Sequence, residues 1–316
     1  MNQPVTQTIA FIQSVSKRYA NTCALNNIDL HLKHGEVLAI LGPNGAGKTT
    51  LINLLLGKLS LSGGDIQIFG MKPGSIALKR LCGAMLQVAS LPETLKVKEH
   101  IQLFQSYYAD PMDYQQVIEF AGLESMQAQY SRSLSGGQKQ RLLFALAICG
   151  NPRLLFLDEP SVGMDVAARQ KLWQAIKALK AQGTSIILTT HYLEEADQLA
   201  DRIVMLNKGQ IIQQGSPQAI KAQVLCQKIR FNSEIAIEKL VDIIAIKKLE
   251  KTGETIELES TDPVASLRAL FRVVEDIREL TVSGTALEDA FLQINRQNDD
   301  ALLKSEAASP HAANQN

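Results

Sequence analysis

The chain has 316 residues, long enough at roughly 100–200 residues per domain for one large domain and a smaller one. With 46% hydrophobic and 20% charged residues it has the balance of a globular protein, which excludes collagen-like, mucin-like and wholly disordered readings. Lys plus Arg and Asp plus Glu are each 32, so the net charge is zero and no global field draws the chain to nucleic acid or to an anionic membrane.

The N-terminus, Met1-Asn2-Gln3-Pro4, has neither the basic start nor the apolar stretch of a secretory signal, so the expectation is a cytosolic chain. From there to about Lys221 short β-rich runs alternate with longer helical ones. Val37–Leu41, Leu154–Leu157 and Ile186–Thr189 are continuous apolar runs, which suit strands buried on both faces of a parallel sheet. The fold class is therefore α/β. Between about Leu95 and Cys149 helical spacing takes over, with Val97, Ile101, Phe104 and Tyr108 at steps of three and four, and a helical subdomain over about 88–149 is expected inside the sheet domain. After about Ala222 the pattern changes. Ile229 and Phe231 alternate with charged residues, and Leu249 and Ile256–Leu258 flank a Lys251–Glu254 turn, which reads as a hairpin. A helix is expected from Asp262-Pro263, a strand over Val274–Val282 and a closing helix over Ala286–Asn295. The expected organisation is thus a main domain over 1–221, a small α+β module over 222–296 and a disordered tail from Gln297.

No apolar run approaches the roughly 18–20 residues that cross a bilayer. The four cysteines, Cys23, Cys82, Cys149 and Cys226, form no Cys-x-x-Cys pair and are read as buried reduced thiols.

Gly42-Pro43-Asn44-Gly45-Ala46-Gly47-Lys48-Thr49-Thr50 matches the phosphate-binding pattern G-x-x-x-x-G-K-[ST], between the strand Val37–Leu41 and the helical run Leu51–Leu56. Glycines let the backbone curl so that N–H groups face phosphate oxygens, and the helix start adds partial positive charge. Lys48 is placed to reach the β and γ phosphates, and Thr49 to offer its hydroxyl to Mg²⁺. Asp158, at the end of the apolar run Leu154–Leu157, is a second metal-binding group, and Glu159 next to it can orient or deprotonate an attacking water. At Ser135-Gly136-Gly137-Gln138 a second glycine pair and a serine open a helix, which makes a second anion site.

The order of these elements, phosphate loop, Leu134-Ser135-Gly136-Gly137-Gln138, Asp158-Glu159 and then Thr190-His191 after another apolar strand, resembles the ATP-binding cassette (ABC) ATPases over roughly residues 5–220. The resemblance implies a P-loop (RecA-like) sheet core, ATP and Mg²⁺ as cofactors, and further roles residue by residue. Tyr19 stacks on adenine, Gln87 senses Mg²⁺ and the γ phosphate, and Ser135 and Gly137 clasp the γ phosphate of ATP held on an opposing subunit. Glu159 is the implied general base, Asp165 the residue that communicates across the dimer, and His191 a γ-phosphate contact. With one complete motif set per chain, a homodimer with two equivalent sites follows from that resemblance.

Leu91–Leu95, Thr190–Asp197 and Thr285–Leu292 look like the branch that serves drug, antibiotic and polysaccharide exporters and pairs with integral membrane permeases of the ABC-2 type. That implies an exporter motor, peripheral on the inner face of the membrane, with the surface up to about Tyr108 as its docking groove. An importer ATPase and a soluble ABC ATPase working on ribosomes or nucleic acid are the alternatives at this point.

Overall fold

The computed structural model describes residues 7–20, 22–86, 91–222, 227–240, 246–283, 287–295 and 298; Gln87, Cys226, Ala286 and all but one residue of the tail from Gln297 lie outside these. The chain divides into two compact units, Met1–Pro217 and Gln218–Asn316. In chain order the first unit holds β1 (Thr8–Tyr19), β2 (Thr22–Lys33), β3 (Val37–Leu41), α1 (Lys48–Leu55), β4 (Gly63–Ile68), α2 (Ile76–Lys79), β5 (Cys82–Met85), α3 (Val97–Gln105), α4 (Tyr114–Ala121) and α5 (Gly136–Ile148). It continues through β6 (Leu154–Asp158), α6 (Val166–Ala181), β7 (Ser185–Thr189), α7 (Leu193–Leu199), β8 (Arg202–Asn207) and β9 (Gln210–Gly215).

The six-stranded sheet runs in the order β5-β6-β7-β3-β8-β9. All its neighbours pair in parallel except β8 with β9. Every residue of β3, β6 and β7 is buried, as their continuous apolar runs require. Successive side chains feed opposite cores. Leu155, Leu157, Ile186 and Leu188 join a core built with α3 to α6, whereas Leu38, Ile40, Leu154, Phe156 and Ile187 join a core built with α1 and the antiparallel sheet β2-β1-β4. Each fully buried Leu or Ile contributes about 1.5–3 kcal/mol, so these three strands are firmly held from both faces. The carboxyl ends of three adjacent parallel strands then carry the chemistry: β3 leads into the phosphate loop, β6 ends at Asp158 and β7 leads to His191.

Residues 91–149 contain α3, α4 and α5 and no strand beyond an isolated bridge between Lys96 and Tyr130. Val97 and Ile101 of α3 are buried, with Phe104 and Tyr108 packed against the same core.

After α8 (Pro217–Lys221) the second unit holds β10 (Gln227–Asn232), β11 (Ile246–Thr252), β12 (Thr255–Ser260), α9 (Pro263–Val273) and β13 (Arg278–Ser283), with the strands in the order β11-β12-β10-β13. Its core is Ile229, Phe231, Leu240, Ile256, Leu258, Leu270 and Val274. The hairpin turns at Gly253, φ 63°, and Asp262 caps α9 by accepting from the Ala265 N–H at 3.0 Å. Residues 287–295 are helical.

Two expectations need correction. The strand read over Val274–Val282 is shorter: Val274 is the C-cap of α9 and buries its side chain in the core, and only Arg278–Ser283 extend. Cys23 is exposed rather than buried, because it lies at the start of β2 where the strand has not yet begun to alternate inward. Cys149 is buried and Cys82 partly so, and burial pushes both thiols up to about 12.

Candidate functional site

The phosphate loop bends between β3 and α1. At Gly42 a side chain is impossible without rebuilding, since a Cβ there would stand 2.2 Å from the Leu206 carbonyl oxygen of β8. Gly47, the N-cap of α1, sits at φ 108°, in a region that L side chains rarely adopt. Asn44, Gly45, Ala46, Gly47, Lys48, Thr49 and Thr50 line a cavity of about 200 Å³ together with Ala24, Asp158 and Glu159. Because α1 starts at Lys48, the first-turn amides on this wall have no intrahelical acceptor, and the helix dipole adds positive potential where anionic oxygens fit.

Lys48 is buried, and its ammonium donates to the carbonyl oxygens of Gly42 at 2.7 Å and Pro43 at 3.2 Å. Burial pulls its pKa down, while the carboxylates of Glu159 and Asp158 push it back up. Across the cavity, Asp158 accepts from the Thr189 hydroxyl, a contact dictated by register, because Asp158 and Thr189 are direct partners in the β6–β7 ladder. Burial raises the Asp158 pKa, with the Thr189 hydrogen bond and Lys48 opposing it.

Glu159 has φ 55°, the left-handed region, which costs a non-glycine residue on the order of 1 kcal/mol or more. That turn carries its carboxylate toward the end of β7, where Oε2 contacts His191 Nδ1 and accepts from the His191 N–H at 3.3 Å. The imidazole is 51% exposed and the carboxylate 12%. A half-open imidazole beside a sheltered carboxylate that lines the Lys48 cavity can bind a terminal phosphate and accept a proton from water.

The second anion motif stands apart. Ser135 and Gln138 form a reciprocal cap at the start of α5: the Ser135 N–H donates to Gln138 Oε1 at 2.8 Å, and the Gln138 N–H donates to Ser135 Oγ at 3.3 Å. The serine hydroxyl keeps its own hydrogen for another acceptor. Gly136 is exposed, and a Cβ on Gly137 would come 3.0 Å from the Gly163 carbonyl oxygen, so this motif abuts the loop that precedes Asp165. Asp165 caps α6 by accepting from the Ala168 N–H at 2.8 Å. None of Ser135, Gly136, Gly137, Gln138 or Asp165 lines the phosphate-loop cavity. Nor does Tyr19, which is 43% exposed with the Lys17 ammonium 5.1 Å from its ring centroid.

Sequence reasoning missed Ala24 and Thr189. Ala24 reaches the cavity from β2, a strand with no motif; Thr189 carries the signal of a hydroxyl at the end of an apolar run, but its partner is fixed only by strand register.

Residues 25–162 match the family model described as ABC transporter. The chain is 36% identical over 292 residues to Nod factor export ATP-binding protein I of Rhizobium johnstonii, covering 90% of this chain and 93% of the relative. It is 33% identical over 300 residues to the protein of the same name from Cupriavidus pinatubonensis, covering 92% of each. Among solved structures, an ATP binding subunit of an ABC transporter superposes with a TM-score of 0.62 at 27% identity, covering 68% of this chain and 93% of that one. A dimeric ATP-binding cassette in a post-hydrolysis state bound to ADP and Pi superposes with a TM-score of 0.61 at 26% identity, covering 66% and 98%. With a built phosphate cavity, a carboxylate beside it and relatives matched along nearly their whole length, the chain belongs to the ABC transporter family, as one of its ATP-binding, ATP-hydrolysing subunits.

Proposed function

We propose that this ATPase is the motor subunit of an exporter and works as a homodimer holding two ATP molecules between its copies. The observation that carries the dimer is the separation of the two anion motifs: the start of α5 does not line the Lys48 cavity, so a phosphate seated there meets Ser135 only from a second copy. The dimeric cassette that this chain resembles supports that arrangement. Export is supported by the relatives named for Nod factor export, which also weigh against the importer and the ribosome or nucleic-acid readings.

In the closed dimer the Lys48 ammonium leaves its loop carbonyls for the β and γ phosphates, and the amides of Gly45, Gly47, Lys48, Thr49 and Thr50 cradle the phosphate oxygens. Gly42 and Asn44 shape the loop. Tyr19 stacks on adenine, and Ser135, Gly136, Gly137 and Gln138 of the facing copy close on the γ phosphate, with Asp165 beside them at the dimer interface. Thr49, Asp158 and Gln87 would hold Mg²⁺, since a hydroxyl, a carboxylate and an amide oxygen are hard donors of the kind this ion takes. When bound, the ion neutralises phosphate charge. Glu159 takes the proton from the attacking water, and His191 stabilises the phosphate oxygens that gain charge. Binding closes the dimer and hydrolysis opens it.

We place the permease, an integral membrane partner of the ABC-2 type, on the face of α3. Leu103 on α3, with Tyr107 and Tyr130 outside it, leaves apolar surface in solvent, Tyr107 at 65% exposure, and Glu93 ahead of the helix is exposed. No helix among the described residues is long and apolar enough to cross a membrane, so the path for cargo belongs to that partner. The subunit then sits on the cytoplasmic face of the membrane. Affinity purification of the tagged protein from native membranes tests this reading. An integral membrane chain is expected to co-purify, and the double variant Glu93→Lys, Tyr107→Asp should weaken its capture about tenfold while leaving ATP binding unchanged. Recovery with ribosomes, or capture indifferent to the double variant, contradicts it.

A further inference from the structure

Two side-chain contacts join α6 to the segment that carries His191. Trp173 Nε1 donates to Glu195 Oε1 at 2.9 Å, and the Arg169 guanidinium lies 5.2 Å from the centroid of the Tyr192 ring. Arg169 and Trp173 are one turn apart on α6, while Tyr192 is the N-cap of α7 and Glu195 stands in its first turn, so the two pairs form successive rungs between two helix faces. The ladder reaches the reacting groups at one end. The Tyr192 ring is 4.1 Å from the His191 ring, centroid to centroid, and the other side of His191 contacts Glu159. On the α6 side of that same end Asp165, which precedes Arg169, caps the helix.

Glu195 is fully buried, and burial raises its pKa, opposed by the neighbouring Thr190, Trp173 and Ser161 side chains. Its Oε2 makes no hydrogen bond of good geometry, although the Thr190 and Ser161 side chains lie near the carboxylate. A buried carboxylate so incompletely paired is a poor stabiliser, and an apolar side chain of similar size would fill the space at lower cost. Its neighbours belong to the segments that carry the candidate site residues: Ser161 follows Glu159 by two residues, Thr190 precedes His191, and Trp173 is on the helix that Asp165 starts. His191 itself is half exposed, so without lateral support its imidazole is free to change rotamer.

We propose that Tyr192 and Glu195, held from α6 by Arg169 and Trp173, are positioning residues that fix His191 against Glu159, so that the helix beginning at Asp165 and the phosphate-facing imidazole move as one body. The inference rests on the reading of His191 as a γ-phosphate contact. None of the four touches the cavity of the phosphate loop. Their removal therefore changes the rate of the chemical step and leaves the affinity for ATP alone.

The test is steady-state ATPase kinetics on the full chain, with thermal melting and ATP binding measured alongside. Arg169→Ala, at a half-buried position, and Trp173→Phe, which keeps a ring and removes the N–H, are each expected to lower kcat roughly threefold to thirtyfold with KM for ATP unchanged. Glu195→Gln keeps an acceptor for Trp173 and should retain most of the activity that Glu195→Ala loses. The double variant Arg169→Ala, His191→Ala should be no slower than His191→Ala, because Arg169 acts through His191. Unchanged kcat in Arg169→Ala and Trp173→Phe while His191→Ala is inactive overturns the ladder and leaves the role of His191 standing, as do losses that multiply in the double variant or that track the melting temperature. Full turnover in His191→Ala overturns both.

Discussion

Glu159→Gln is expected to arrest ATP turnover and to leave a stable ATP-bound dimer. The carboxylate is sheltered, turned into the cavity by a left-handed backbone, and held against His191, so the geometry is spent on placing one oxygen. Glutamine preserves the shape and an acceptor oxygen but cannot take a proton, and loss of a general base costs about 10²–10⁴ in rate. In the proposed site ATP binding rests on other groups, the amides of the loop and Lys48, so it should persist. With binding intact and hydrolysis stopped, the closed form accumulates. Size-exclusion chromatography of the variant with ATP should show a dimer that wild-type protein forms only transiently; an ATP-loaded variant that remains monomeric contradicts the sandwich.

Lys48→Ala is expected to weaken ATP binding about tenfold to a hundredfold, the factor that corresponds to losing a charge-assisted hydrogen bond of about 1.5–3 kcal/mol. In the free chain the ammonium is held by two loop carbonyls, which are neutral acceptors, so exchanging them for phosphate oxygens is a net gain. The same substitution leaves Asp158 and Glu159 facing a cavity without a cation, and anionic phosphates then meet uncompensated negative charge. Titration with a fluorescent ATP analogue measures the change. An affinity within twofold of wild type would mean that the helix start alone carries the phosphate, against the role given to Lys48.

The parts of the fold legible in the sequence are those whose burial is symmetric. β3, β6 and β7 are wet on neither face, so they read as plain apolar runs, and the phosphate loop sits at the end of the first. The antiparallel sheet was illegible for the opposite reason. β1 and β2 are long, twisted strands whose pairing shifts register near Ser14 and Asn27, both at positive φ, and each shift breaks the alternation that marks a half-buried strand. Val274 misled because a buried valine at a helix C-cap and one opening a strand look alike in a row of letters. Cys23 misled because cysteine is a residue type most often buried, whereas here it stands at the exposed start of β2.

In the site, the residue types that bind phosphate announce themselves through spacing along the chain. The partners that orient them do not. Thr189 meets Asp158 through the pairing of two strands thirty-one residues apart, and Glu195 meets Trp173 across two helices. Each contact depends on how elements pack, which no local window contains. The same holds for the distance between the two anion motifs. The sequence names both, but only the folded chain keeps the start of α5 out of the Lys48 cavity, and on the proposed reading that separation calls for a second copy.

Mixing two inactive variants tests that necessity most directly. Lys48→Ala removes the loop half of each site and Ser135→Arg blocks the facing half, so each homodimer has no complete site. A mixed dimer has one, built from the intact Lys48 of the second variant and the intact Ser135 of the first. Random pairing of equal amounts makes half the dimers mixed with one working site of two, so ATPase activity should return to about a quarter of the wild-type value. A mixture as inactive as its components, or full activity in Ser135→Arg alone, would contradict a site shared between two copies.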